Sequence, residues 1–281
     1  MQGNIQALSV LKQLTGIESI AEFLKFKISN RMIHATVILA MSADGKITDT
    51  ALTAARFGSA NDKSHLEQQV AASDAVLFGN GTLRAYGTTL RVTSPDLMEQ
   101  RKLQGKPPQP VQIVCSRSRQ FDPNWRFFQQ PIPRWLLTGQ DGDVSNGQDA
   151  RSTRDELSCG TGILPVHKSL IDNGAIGKFD RTLTTNTIAG EIDWIDAFQQ
   201  LETLGIERLA ILGGGKLVAS VLAAGLIDEL WLTVCPLILG GADAPTPVEG
   251  KGFLADLAPK LELLAVKQVG GEVFLHYRVD R

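Results

Sequence analysis

"LAILGGGKLVASVL", Leu209–Leu222, is the stretch whose reading decides the fold. It opens on an unbroken apolar run, as in a strand buried on both faces, then reaches three glycines and a lysine, and continues as a helix-like pattern over Leu217–Ala224. Strand, glycine turn and helix in that order make one βα unit of a mainly parallel sheet. Gly213, Gly214 and Gly215 let the backbone come close to a ligand and aim the first N–H groups of the helix at it. The spacing is not G-x-G-x-x-G, since Val218 holds the third glycine position, and no G-x-x-x-x-G-K-[ST] can be drawn through it. Taken alone, the turn serves an anion or tight helix packing equally well.

The same alternation runs outward in both directions. Before it stand "HATVILAM" from His34, a helix with Leu66 and Val70 one turn apart, "DAVLFG", "VQIVCS", "RWLLT" and a helix placing Trp194, Phe198 and Leu201 on one face. After it come "ELWLTVC" and "LELLAVKQVGGEVFLHYRV", two strand-like runs around the turn pair Gly270-Gly271. The fold class is therefore α/β: a mainly parallel central sheet with helices on both faces, ending in an antiparallel hairpin.

The 281 residues carry a formal net charge of −2 and 43% hydrophobic residues, enough for an ordinary core. Lysines and arginines are dispersed, so the basic stripe that nucleic acid demands is missing. Cys115, Cys159 and Cys235 lie far apart, and the four histidines form no ligand-like cluster with them, which points to a reduced cytoplasm and no structural metal. Residues 1–31 hold no apolar run long enough for a signal peptide or membrane span and read as an appendage; the fold starts at Met32. Between 140 and 180 the periodicity fails in a Gly-, Ser-, Asp- and Asn-rich stretch, expected to be a disordered insertion with one short strand near Ile163–Val166.

Four stretches carry the chemistry together. "ATVILAMSADGKI" ends a strand at Ser42 and turns at Asp44-Gly45; "SDAVLFGNGTLRAYGTTLR" ends another at Gly79, Gly81 and Thr82; the glycine turn is the third, and "GLIDELWLTVCPLILGGADAP" the fourth. In order and spacing they resemble the reductase domain of the bifunctional deaminase/reductase of riboflavin biosynthesis, which has the dihydrofolate-reductase-like fold. The resemblance runs from about Met32 to the C-terminus, apart from the insertion, and includes "PTPVEGKGF". No zinc-deaminase signature precedes it.

The resemblance implies an NADPH-dependent reductase of the pathway's ribosylaminopyrimidine. It places Gly79, Gly81, Thr82, Gly213, Gly214, Gly215 and Lys216 against the cofactor, with Ser116 and Arg117 on the 2′-phosphate side, where an arginine fork suits the anion. Ser42 and Asp44 fall at the nicotinamide and substrate end, Asp44 also as a catalytic group; the residues alone read as a plain turn there. Tyr86 is a candidate proton donor or an amphipathic wall. The family pattern has charged residues where this chain has Ile38, Tyr86 and Leu212, so the cofactor half is kept and the substrate half rewritten. That leaves open a pterin- or folate-like substrate, and a dinucleotide-binding protein without turnover. The family also implies a homodimer, expected through "LIDELWLTVCPLILGG" on the strand face of Trp231, Thr233 and Cys235.

Overall fold

The computed structural model describes residues 33–140 and 175–280. The appendage 1–31 and the strand expected at 163–166 lie outside the described residues, as does most of the 140–180 stretch. The end of that stretch is described: Ala175 is fully buried, and the Asp180 carboxylate accepts from Arg134 N at 2.6 Å.

Among the described residues, nine strands form one sheet. In chain order they are β1 (His34–Ser42), β2 (Ala75–Gly79), β3 (Val111–Cys115), β4 (Arg134–Gly139), β5 (Arg181–Thr185), β8 (Arg208–Ile211), β9 (Glu229–Cys235), β10 (Leu261–Val269) and β11 (Glu272–Val279). Two short strands, β6 (Thr187–Ile188) and β7 (Glu191–Ile192), make a separate ribbon. The spatial order is β10-β11-β9-β1-β8-β2-β3-β4-β5, parallel from β9 to β5 and antiparallel across β9-β11-β10. This is the dihydrofolate-reductase-like architecture expected, with the hairpin turning at Gly270-Gly271.

The period of two along each strand sorts side chains between two cores. Ala35, Val37, Leu39, Leu77, Ile113, Leu137, Leu209 and Ile211 point to one face, covered by α4 (Trp194–Thr203) and α5 (Gly215–Ala223). Ile38, Val76, Phe78, Val114, Leu136 and Ala210 point to the other, under α1 (Ala60–Ala72), α2 (Asn80–Tyr86) and α3 (Pro95–Leu103). Trp194, Phe198 and Leu201 all enter the first core, as their spacing predicts. β5 and α3 escaped the sequence reading: β5 is an edge strand with only Leu183 and Thr185 turned inward, and α3 buries little besides Arg101.

On β9 the two faces behave oppositely to the dimer expectation. Trp231 is stacked on His276, with centroids 3.9 Å apart, and meets His65 of α1, so the Trp231 face is covered within the chain. Thr233 and Cys235 are buried beside it. The opposite face continues from Leu230 and Leu232 across Leu275 and Tyr277 of β11 to Leu263 and Val266 of β10, which are 53% and 57% exposed. Leu230 and Leu232 still pack against the first core, and the exposed residues lie beyond them on β10.

Candidate active site

Parallel strands bring their C-terminal ends to one edge, so the turns the sequence singled out converge there. β1 pairs with β8 only from His34↔Arg208 to Val37↔Ile211, then runs on to Ser42 against β9, while the chain after β8 turns away at Gly213. A crevice is left between Ile38–Ser42 and the glycine turn. The connections leaving β1 and β2 cover one face of the sheet and the one leaving β8 covers the other. Such a switch point at the strand ends is where open α/β sheets bind ligands.

The glycines close the crevice by contact. Gly79 N donates to Gly213 O at 3.0 Å, joining the β2 and β8 turns. Gly213 has φ +95, and a Cβ there would stand 3.0 Å from Leu39 Cδ2; one at Gly214 would stand 3.7 Å from Thr82 Oγ1. The Gly213–Gly214 peptide is cis. Gly215 instead faces away, into the backbone of Thr246 and the side chain of Glu249 in the "PTPVEG" segment.

Helix caps separate the two kinds of turn. Side chains of Ser59, Ser94 and Asp193 cap α1, α3 and α4, accepting from backbone N–H groups of their first turns. α2 and α5 start at Gly79 and Gly214 with no side-chain cap, so these two helices present first-turn N–H groups at the crevice. Gly81 has open space where a Cβ would be, and Lys216 is exposed.

The remaining residues singled out from the sequence are mostly engaged with other groups. Ser42 is fully buried; its hydroxyl donates to Asp44 Oδ1 at 2.6 Å and accepts from Lys46 N. The Asp44 carboxylate also accepts from Leu239 N and Gly240 N at 3.1 and 2.7 Å. The Ser42 hydroxyl, with the Leu239 and Gly240 amides, holds its carboxyl down at about 2. Asp44 is thus an anion that ties the β1 turn to the loop after β9 and holds no proton to give near neutral pH. The Tyr86 hydroxyl donates to Ala55 O at 2.7 Å, and burial pushes the phenol up, so its proton is committed to the loop before α1. Ser116 is buried and accepts from Arg119 N, closing its own turn. Arg117 forms an ion pair with Glu191 at 2.7 Å, a partner from the β6–β7 ribbon that nothing local announces.

The sequence reading passed over an acidic pair on the α1 side. Glu272 is 3% exposed and accepts from Ser59 N and Oγ at 2.7 and 2.6 Å, with Cys235 Sγ at 3.7 Å. Asp62, half-buried in the first turn of α1, takes a hydrogen bond from Thr233. Its sequence signal was only that of an acid behind a serine cap.

Residues 34–275 match the family model described as the RibD C-terminal domain. A protein of Archaeoglobus fulgidus named 2,5-diamino-6-ribosylamino-4(3H)-pyrimidinone 5′-phosphate reductase is 29% identical over 256 residues, 88% of this chain and 99% of that protein. The riboflavin biosynthesis protein RibD of Escherichia coli is 28% identical over 210 residues, 73% of this chain and 49% of its own length. A crystal structure of a pyrimidine reductase-like protein from Corynebacterium diphtheriae shares the fold, with TM-score 0.67, 20% identity and coverage of 96% of this chain and 98% of that one. With its glycine turns and all of its described sheet except the end of β11 inside the matched span, the chain belongs to the RibD C-terminal domain family.

Proposed function

We propose that this chain is a cytoplasmic reductase of riboflavin biosynthesis that uses NADPH to convert the ribosylamino group of a pyrimidine 5′-phosphate to a ribitylamino group. The observation that carries the reading is the pair of uncapped, glycine-started helices, α2 and α5, facing one crevice while α1, α3 and α4 are capped by side chains. A Cβ at Gly213 would press on Leu39, and its positive φ favours glycine, whereas one at Gly214 would only reach ordinary contact with Thr82. That cradle fits dinucleotide phosphates at Gly79–Thr82 and Gly213–Lys216. When bound there, the nicotinamide supplies the hydride.

The chain's own work is to bind, orient and keep water out. Buried Ile38 of β1 and half-buried Leu212 pack on the same, α1-side face of the sheet and supply an apolar floor. The bonds from Ser42 through Asp44 to Leu239 and Gly240 lock two loops at the substrate end. Arg117 is the group we assign to the 2′-phosphate. Its contact with Glu191 is a surface ion pair, 47% and 66% exposed, of the kind that contributes little and exchanges readily for a phosphate. The apolar Ile38 and Leu212 also suit a pterin-like ring, the second reading.

We further assign a homodimer to the open apolar face of β9, β11 and β10. Leu263 and Val266 lie on it together with half-buried Leu275 and Tyr277, beyond Leu230 and Leu232 on the first core. A second copy seated there would bury on the order of 1,600 Å² in all.

Steady-state NADPH oxidation with the diamino-pyrimidinone phosphate and with its deaminated counterpart tests the activity. Turnover on one of them is expected. NADPH binding without turnover on either would leave the non-catalytic or pterin readings, and no binding at all would end the proposal. Calorimetry with both nucleotides should show NADPH bound more tightly than NADH, and Arg117→Ala should narrow the gap by roughly 1–2 kcal/mol.

A further inference from the structure

We propose that Asp62 is the proton donor of the reduction, delivering its proton to the ribose ring oxygen as the sugar opens. The inference rests on the reductase reading and adds the acid that Asp44 and Tyr86, both committed elsewhere, do not supply.

Placement comes first. In the β1–β9 register Thr233 lies opposite Ala40 and Cys235 opposite Ser42, so the α1-side groups of β9 flank the part of β1 that forms the crevice. The first turn of α1 is clamped onto them because Ser59 gives both its N–H and its hydroxyl to Glu272. Asp62 follows in that turn, hydrogen-bonded to Thr233, which is itself 2% exposed. Space has been cleared for its carboxyl: a Cβ on Gly58 would stand 2.2 Å from Asp62 Oδ2. Asp62 also lies close enough to Tyr86 and Cys235 for its charge to raise the pKa of both.

The environment favours the protonated acid. The groups facing Asp62 are Glu272 from β11, Cys235 from β9, Tyr86 from α2 and, beyond Tyr86, Arg56 from the loop before α1. Burial and then the Glu272 charge raise its pKa, and the Thr233 hydrogen bond is the opposing influence. A structural role as a first-turn helix anion would be worth only about 0.3–1 kcal/mol. Placing a second carboxylate beside buried Glu272 works against even that. Glu272, by contrast, is fully partnered and belongs to the fold. A half-buried acid with its pKa raised, held over the ends of β1 and β9 by the Thr233 hydrogen bond, is the arrangement a general acid needs.

The step balances. The bond between the sugar's C1′ and its ring oxygen breaks, and its electron pair goes to that oxygen, which takes the Asp62 proton. C1′ receives the hydride, so the sugar gains two electrons, which come from the nicotinamide. Asp62, left as a carboxylate on the Thr233 hydroxyl, regains a proton from water through its exposed side.

Since Asp62 must be protonated, kcat should be level at low pH and fall as pH rises through its elevated pKa. Asp62→Asn should lower kcat by roughly 100-fold or more with KM changed little, and remove that alkaline limb. Asn is close in shape and relieves the repulsion with Glu272, so the variant should melt no lower than wild type. Thr233→Val removes a bond to the carboxylate and should move the limb to higher pH. Independently of turnover, the Asp62 carboxyl followed by carbon-13 NMR in the free protein should keep its proton above the ordinary aspartate range. An Asp62→Asn enzyme within threefold of wild type with an unchanged pH profile overturns the proposal, as does a carboxyl that titrates normally. If wild type turns over neither pyrimidine, the reductase reading falls. The carboxyl titration then decides alone whether Asp62 is a poised acid.

Discussion

Gly215→Ala is the substitution whose effect the structure fixes most closely. Gly215 opens α5, and a Cβ there would stand 2.3 Å from the Thr246 carbonyl oxygen and 2.7 Å from Glu249 Cγ. The first is backbone, so the clash cannot be relieved by a rotamer change. The segment carrying it is also held to the helix by Glu249 N donating to Gly215 O at 3.1 Å. Alanine ordinarily gains about 0.5–1 kcal/mol over glycine in a helix. Overpacking of this kind costs about 1–3 kcal/mol, so the net effect is a loss near 1–2 kcal/mol. For a domain of this size that lowers Tm by about 2–8 °C. Gly81→Ala is the control, because nothing lies within 4 Å of its Cβ position in α2. Urea and thermal unfolding of the two variants should differ accordingly, with Gly81→Ala at or slightly above wild type. Equal stability of the two would refute the claim that Gly215 is required by the approach of the 246–249 segment.

Two further outcomes follow from the same geometry. Asp44 is shifted from 3.8 to about 2 on folding, so its contribution is complete above about pH 4 and is lost as pH falls through about 2. The Leu239 and Gly240 amide resonances should move over that window in wild type and not in Asp44→Asn; if they stay fixed in wild type, the carboxylate does not hold that loop. Leu263→Glu with Val266→Glu should convert the dimer to a folded monomer by sedimentation. Trp231→Glu should instead impair folding, because Trp231 is enclosed between His65 and His276. A monomeric wild type at micromolar concentration ends the dimer assignment.

The sequence by itself determined the βα alternation, the closing hairpin and the glycine turns. Each is written in a short window: Leu209–Ile211 as a buried run, Trp194, Phe198 and Leu201 at helical spacing, Gly270-Gly271 between two strands. It also placed Ser42, Gly79 and Gly213 at strand ends, which in a parallel sheet puts them on one edge. The resemblance carried the rest of the site, and what those residues do was decided only in three dimensions. Asp44 finds its amides 195 and 196 positions away, Arg117 finds Glu191, and Ser59 finds Glu272 across most of the chain. Likewise, which face of β9 stays open depended on α1 reaching Trp231, not on the alternation of β9 itself. Hydrophobic period is a property of neighbours in sequence. Charge pairing, burial of a carboxylate and the coverage of a sheet face are properties of neighbours in space, set by crossovers whose lengths and directions no local window contains.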